Sequence, residues 1–141
     1  MQIKSFEDLN CWKASRNMRL FIAKQVVPVL PKDEKYRLVD QILRAARSTT
    51  ANIAEGYGRF HYMDNAKFCS NSRASCWETL DHLITAKDEE LISDELYTKG
   101  RGLVHEAIKL INGYMNYLYK KSKQKPDIVA EDFIAYGDLD S

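Results

Sequence analysis

Residues 41–60 read QILRAARSTTANIAEGYGRF. The stretch is helical in pattern, yet it carries polar groups where a bundle helix is expected to be oily. Gln41, Arg44, Ser48, Asn52 and Glu55 are separated by 3, 4, 4 and 3 residues, the spacing that stacks side chains on one helical face. At about 100° per residue these five fall within an arc of about 80°. Ile42, Ala45, Ala46, Thr49 and Ile53 fill the adjoining arc, a core face. On the other flank Leu43, Ala51 and Ala54 form a flat, small-residue face against which another bundle can pack. A polar stripe with apolar neighbours on both sides is predicted to be semi-buried, and buried polar groups need partners.

The segment after it offers them. In NSRASCWETLDHL, residues 71–83, Arg73, Ser75 and Glu78 are complementary in charge and compatible in spacing. If the two helices run antiparallel, Arg44 is expected to meet Glu78 and Arg73 to meet Glu55. The principal reading of the eight residues is a structural network that fixes helix register; direct ligand contact is the alternative.

Four helical segments follow one another. The first is expected from about Glu7 to Val29, opened by a Ser5–Asp8 capping box and closed by Pro28 and Pro31. The second is expected from near Pro31 to the GYG of 56–58, where Gly56 or Gly58 would take a left-handed cap. The third is expected from about Asp64 to Ala86 or Lys87. The fourth is expected to start at Ser93 and end in YKKSKQK, although Gly100 and Gly102 argue for a later start. Phe68, Cys69, Cys76, Trp77, Leu80, Leu83 and Ile84 form the predicted core stripe of the third helix. No run alternates strictly enough to predict a strand. The fold expected is all-α, an antiparallel up-and-down four-helix bundle over 1–125 with a separate acidic tail over 126–141.

Charge divides along the same boundary. The net charge of the 141 residues is +1. Asp127, Glu131, Asp132, Asp138 and Asp140 lie in the tail, which has no basic residue, so the body carries +6. Such a split suits either a solvated surface or a polyanion partner. The cysteines Cys11, Cys69 and Cys76 are odd in number and form no CxxC pair. Cys69 and Cys76 are seven apart on one helix, roughly 10 Å by the helical rise, too far for a disulfide. A reduced, cytoplasmic protein is expected. The N-terminus MQIKSFEDLNCW has no signal-peptide apolar run, and no stretch reaches the roughly 20 apolar residues of a membrane span.

Three motifs together resemble one bacterial family: SFEDLNCWKAS near the start, QILRAARSTTANIAEGYGR in the middle and SRASCWETLDHLITA after it. These are the small four-helix-bundle proteins encoded within intervening sequences of 23S ribosomal RNA genes, similar to the accessory variability protein of diversity-generating retroelements. The most specific element is Gln-Ile-x-Arg-Ala-x-x-Ser-x-x-x-Asn-Ile-Ala-Glu-Gly over 41–56. Ala74 stands where the family pattern usually has Gly, and the tail lies outside the resemblance. The resemblance implies a homopentameric barrel, a basic surface that engages nucleic acid, and, in retroelements, association with a reverse transcriptase.

Enzyme chemistry finds little support in the residues. A di-iron bundle requires Glu-x-x-His on two helices, and no Glu here precedes a His by three. The GYG of 56–58 lacks the phosphate-loop pattern. The cysteines have no dedicated His partner in the sequence. The expectation is therefore a non-enzymatic protein with no metal and no cofactor. Candidate phosphate contacts are Lys13, Arg16, Arg19 and Lys24 on the first helix, Arg59 in the turn after the second, and Lys120, Lys121 and Lys123 at the end of the fourth. Basic groups neutralise phosphates, and neighbouring aromatics can stack on unpaired bases. Two functions follow as expectations: an oligomeric RNA- or DNA-binding accessory protein acting with a reverse transcriptase, or a protein-interaction scaffold.

Overall fold

The computed structural model describes residues 2–124, so the acidic tail expected over 126–141 lies outside the described residues. The described residues form four α-helices: α1 Asn10–Phe21, α2 Leu38–Tyr57, α3 Tyr62–Asp88 and α4 Asp94–Gln124. No strand occurs among the described residues. Each helix packs on the next, and α1 also packs on α4.

The first expected helix is broken into pieces. Ser5 caps a 3₁₀ turn at Phe6–Asp8 through the expected capping box. Regular helix then runs only to Phe21, loosens into a π turn at Ile22–Val26 and tightens to 3₁₀ at Val27–Val29. The π turn inserts backbone relative to the 3.6-residue period. Phe21, Ile22 and Val26 are all buried around it. The second helix starts later than expected. Pro31 leads into a 3₁₀ turn at Lys32–Glu34, and the Arg37 backbone (φ −122°, ψ −102°) breaks any helix running from there into α2. Glu34 Oε2 accepts from Leu38 N–H at 3.2 Å, serving an otherwise orphan donor.

Neither Gly56 nor Gly58 adopts the expected left-handed cap: no described glycine has positive φ. Helix α2 instead ends in 3₁₀ fashion, Arg59 N–H donating to Gly56 O at 3.0 Å. Among the described residues the one left-handed non-glycine is Glu90, φ 60°, after α3. Helix α4 begins at Asp94 despite its glycines, and Ser93 Oγ accepts from Leu96 N–H at 3.0 Å. Gly100 is needed there because a Cβ would lie 3.0 Å from Leu83 Cδ1 and 3.1 Å from Phe21 Cε2.

The core runs the length of the bundle, with Met18, Ile22, Ile42, Ile53, Leu83 and Ile111 fully buried. Trp77, expected in the core stripe, is instead 48% exposed. It follows Cys76 round to the flank of α3, where its ring meets His105 edge-on at 5.7 Å. No helix among the described residues is long and apolar enough to cross a membrane.

Candidate nucleic-acid interface

Three of the eight residues of the expected polar network, Ser48, Asn52 and Ser75, bond to one another. Ser48 and Ser75 bridge α2 and α3 through their hydroxyls at 2.9 Å. Asn52 Nδ2 donates to both Ser48 O and Ser48 Oγ at 2.9 Å. One turn away, Ser72 Oγ donates to Thr49 O at 2.7 Å. These short side chains lie flat on the interface and are covered from the side. The long ones at the ends of the stripe extend past it, which corrects the expected cross-helix ion pairs. Gln41 is exposed. Arg44 pairs with Asp40 at 3.2 Å, its side chain 78% exposed, not with Glu78. Glu78 pairs with His82 at 3.2 Å, and Glu55 with Arg59 at 3.4 Å. Arg73 crosses to α4 instead, donating to Asn112 Oδ1 at 2.8 Å. Burying both charges of a pair costs more than their attraction returns unless geometry is excellent. In solvent each charge has a partner one helical turn away on its own chain.

The basic candidates separate into three places. Lys13, Arg16 and Lys24 share one exposed stripe of α1 and its π turn, with Asn17 and Leu20 between them. The Arg16 guanidinium lies 6.0 Å from the Trp12 ring centre, a cation–π distance at the edge of the useful range. Trp12 is held edge-on by Phe6 at 5.3 Å, so the capped turn before α1 positions this corner. Across the furrow, α4 presents a cation not anticipated from sequence: Lys99 Nζ lies 5.6 Å from the Phe21 ring. Lys24 and Lys99 line one cleft whose floor is Leu20, Phe21 and Leu103. Linear spacing carries no signal for Lys99, which reaches the Phe21 ring only through the packing of α4 on α1. Glu7, Asp8 and Glu106 are carboxylates that line clefts along this surface.

Arg19 does not belong to the stripe. It donates to Thr50 Oγ1 of α2 at 2.8 Å, half-buried, and so ties α1 to α2. Its place six residues from Lys13 turns it about 240° round the helix, which the spacing alone could have shown. Arg59 lies over the Phe68 ring at 4.5 Å, in the turn between α2 and α3. Asn65 Nδ2 donates to Tyr114 OH at 3.0 Å, which puts the start of α3 level with the last third of α4. Arg59 is therefore at the bundle end where α4 finishes. Lys120, Lys121 and Lys123 are in the final turns of α4, with Lys121 Nζ 5.7 Å from the Tyr117 ring. Lysines there also complement the helix dipole.

The three cysteines are buried, and none of them forms a disulfide. Burial, and secondarily the nearby Cys11, push the Cys76 thiol from 9.0 up to about 12, which makes it an inert hydrophobe.

A comparison with curated proteins finds no match. Residues 7–113 match the family described as 23S rRNA-intervening sequence protein, a span that contains all of α1, the α2 stripe and all of α3. The chain belongs to that family.

Proposed function

We propose that the chain is a non-enzymatic, oligomeric nucleic-acid-binding accessory protein that holds phosphates along the α1–α4 surface. The observation that carries this reading is the clustering of Lys13, Arg16 and Lys24 with Lys99 on that surface, beside Trp12 and Phe21. The cations supply sequence-independent attraction, and the half-buried Trp12 ring supplies apolar contact. The family description favours RNA over DNA as the ligand. Three buried cysteines without a disulfide favour a reducing, cytoplasmic setting. In a retroelement the partner would be a reverse transcriptase.

The bundle is read as antiparallel up-and-down. Its support is the falling register of α3 against α2: Thr49 meets Ser72, whereas Gly56 abuts Asn65. The oligomer is read as a closed homopentamer by resemblance. The face of Leu43, Ala51 and Ala54, half-exposed to exposed in the single chain, is the candidate contact. Light scattering tests it; a monomer at micromolar concentration would sink the pentamer.

Fluorescence anisotropy with a labelled single-stranded RNA tests the main reading. Four phosphate contacts predict log affinity falling against log salt with a slope of about −3. Lys13→Glu with Arg16→Glu and Lys24→Glu should weaken binding steeply. A flat salt response would favour the second reading, a protein-interaction scaffold, for which the exposed Trp77–His105 pair is the observation in favour.

A further inference from the structure

Between the residues that lead into α1 and the second half of α4 lies a cleft of about 260 Å³. Ile3, Leu9 and Leu110 give it aliphatic walls. Tyr114 and Tyr117 add two aromatic rings, near-parallel at 12° with centroids 6.2 Å apart. Asn65 donates to the Tyr114 hydroxyl at 3.0 Å and so fixes that ring. Gly113 also lines the cleft, and a Cβ there would meet nothing within 4 Å, so the space stands open where a larger residue would begin to fill it. The volume falls just short of the roughly 300–1,000 Å³ of drug-sized ligand pockets, which suits one small ring system.

The polar groups select among such rings. Among the described residues Asp8 is the one carboxylate that lines the cleft, and no cation lines it. Asp8 Oδ2 accepts from Lys4 N–H at 3.0 Å and from Ser5 N–H at 3.3 Å, which holds the carboxylate in place. A carboxylate offers about four lone-pair sites, so acceptor capacity remains. An anion is repelled from such a cleft, and a neutral group that donates N–H bonds is favoured. Asn10 lines this cleft and also the next one along the furrow, which Lys13 and Glu106 line too. Lys13 follows Asn10 by three residues on the same helical face, roughly 4.5 Å along the axis. Lys13 is exposed and forms no ion pair among the described residues. A neutral donor inside, with an anion just under one helical turn away, is the layout of a nucleotide.

We propose that this cleft takes one unpaired nucleic-acid base, its exocyclic amine toward Asp8 and its phosphate on Lys13. Cytosine, adenine and guanine carry such an amine. Uracil does not, and its carbonyl oxygens would face the carboxylate. The proposal rests on the nucleic-acid function proposed above and deepens it. Phosphate contacts are blind to base identity, whereas a base enters a cleft only when it is free of its partner strand. The surface then prefers single-stranded over duplex RNA, and disfavours uridine at the position bound.

The experiment uses the full chain, with the four ribonucleoside monophosphates and their nucleosides as probes in saturation-transfer NMR at millimolar ligand. Base protons should be saturated more strongly than ribose protons, and the uridine probes should bind roughly tenfold more weakly than the others. Gly113→Leu adds a side chain where nothing lies within 4 Å, so it should fill the cleft and leave the fold intact. It should weaken every probe by roughly tenfold or more. Lys13→Glu, at an exposed position, gives a second arm. It should reduce the monophosphates to the affinity of their nucleosides and spare the nucleosides; should Gly113→Leu fail to fold, this arm decides. Parent-like binding by Gly113→Leu, uridine binding equal to the rest, nucleosides weakened by Lys13→Glu, or no base saturation with any probe overturns the proposal. In parallel, Gly113→Leu should weaken single-stranded RNA by roughly tenfold with an unchanged salt slope, because the phosphate contacts remain. RNA binding that keeps that slope while no mononucleotide binds overturns the cleft and leaves the nucleic-acid reading standing. Mononucleotides bound as expected, with no RNA bound, support the cleft and defeat the nucleic-acid reading instead.

Discussion

Gly56 of α2 and Asn65 of α3 approach so closely that a Cβ on Gly56 would lie 2.8 Å from Asn65 Oδ1 and 3.0 Å from its carbonyl oxygen. Phe68 Cβ would be 2.9 Å away. Asn65 cannot retreat easily. It is fully buried and held by Tyr114 OH and by Cys69 Sγ, which donates to its Oδ1 at 3.5 Å. The glycine of the AEGYG stretch thus serves helix–helix contact rather than backbone freedom. Gly56→Ala should destabilise by about 1–3 kcal/mol through overpacking, although alanine improves helix propensity by about 1 kcal/mol. Gly102→Ala, where nothing lies within 4 Å, should stabilise by about 0.5–1 kcal/mol. Urea unfolding of the two variants measures both; an unaffected Gly56→Ala protein would show that α2 and α3 separate without cost.

Arg44 of α2 and Arg73 of α3 should differ in what their loss costs. Arg44 and Glu78 each pair within their own helix and in solvent, so either change to Ala should cost under about 0.5 kcal/mol, and the double change should be additive. Arg73 is half-buried and crosses to Asn112, so Arg73→Ala should cost about 1–2 kcal/mol. Equilibrium denaturation of these four proteins decides it. A coupling above about 1 kcal/mol between Arg44 and Glu78 would contradict the pairing described.

The contrast shows which parts of the molecule are legible in sequence. Helices α3 and α4 were bounded within two residues because long periodic segments with an acidic first turn carry redundant signals. The first helix was not, because the π turn at Ile22–Val26 moves the period by an amount no residue type announces. The α1 cations could be grouped by spacing alone. Lys99 could not join them, since its proximity to Phe21 is a tertiary fact. In the stripe, spacing gave direction but not depth. Serine and asparagine stop at the interface, whereas arginine and glutamate of the same register reach water.

The end of α3 provides a third test. Glu90 N–H donates to Lys87 O at 2.9 Å and Leu91 N–H to Ala86 O at 2.8 Å, the paired bonds of a Schellman cap. That cap places Glu90 at φ 60°, a position glycine fills without steric penalty. Glu90→Gly should therefore raise stability by about 1 kcal/mol, the cost of left-handed backbone for a side chain less the entropy glycine adds to the unfolded chain. Thermal unfolding should show a higher midpoint. A lower one would mean that Glu90 makes a compensating contact.

Cys76 should make stability fall at high pH. Its buried thiol is held neutral, with the pKa raised from 9.0 to about 12 by burial first and by Cys11 second. Protons are therefore bound more tightly in the folded state than in the unfolded state. The contribution is fully present below 9.0, declines as the unfolded chain ionises above that value, and is exhausted as the folded thiol itself ionises near 12. Lysines and tyrosines titrate over the same range, so the informative quantity is a difference. Unfolding free energies of the parent and of Cys76→Ala should run parallel from about pH 7 to 8.5 and then converge, because only the parent has this thiol to ionise on unfolding. Over the parallel range the variant is the less stable, by the cavity that a lost sulfur leaves. Alkylation by iodoacetamide gives an independent reading: the native parent should leave Cys76 unmodified near pH 8, and urea should expose it. Parallel free-energy curves through pH 10, or rapid native alkylation, would place the Cys76 sulfur in contact with water.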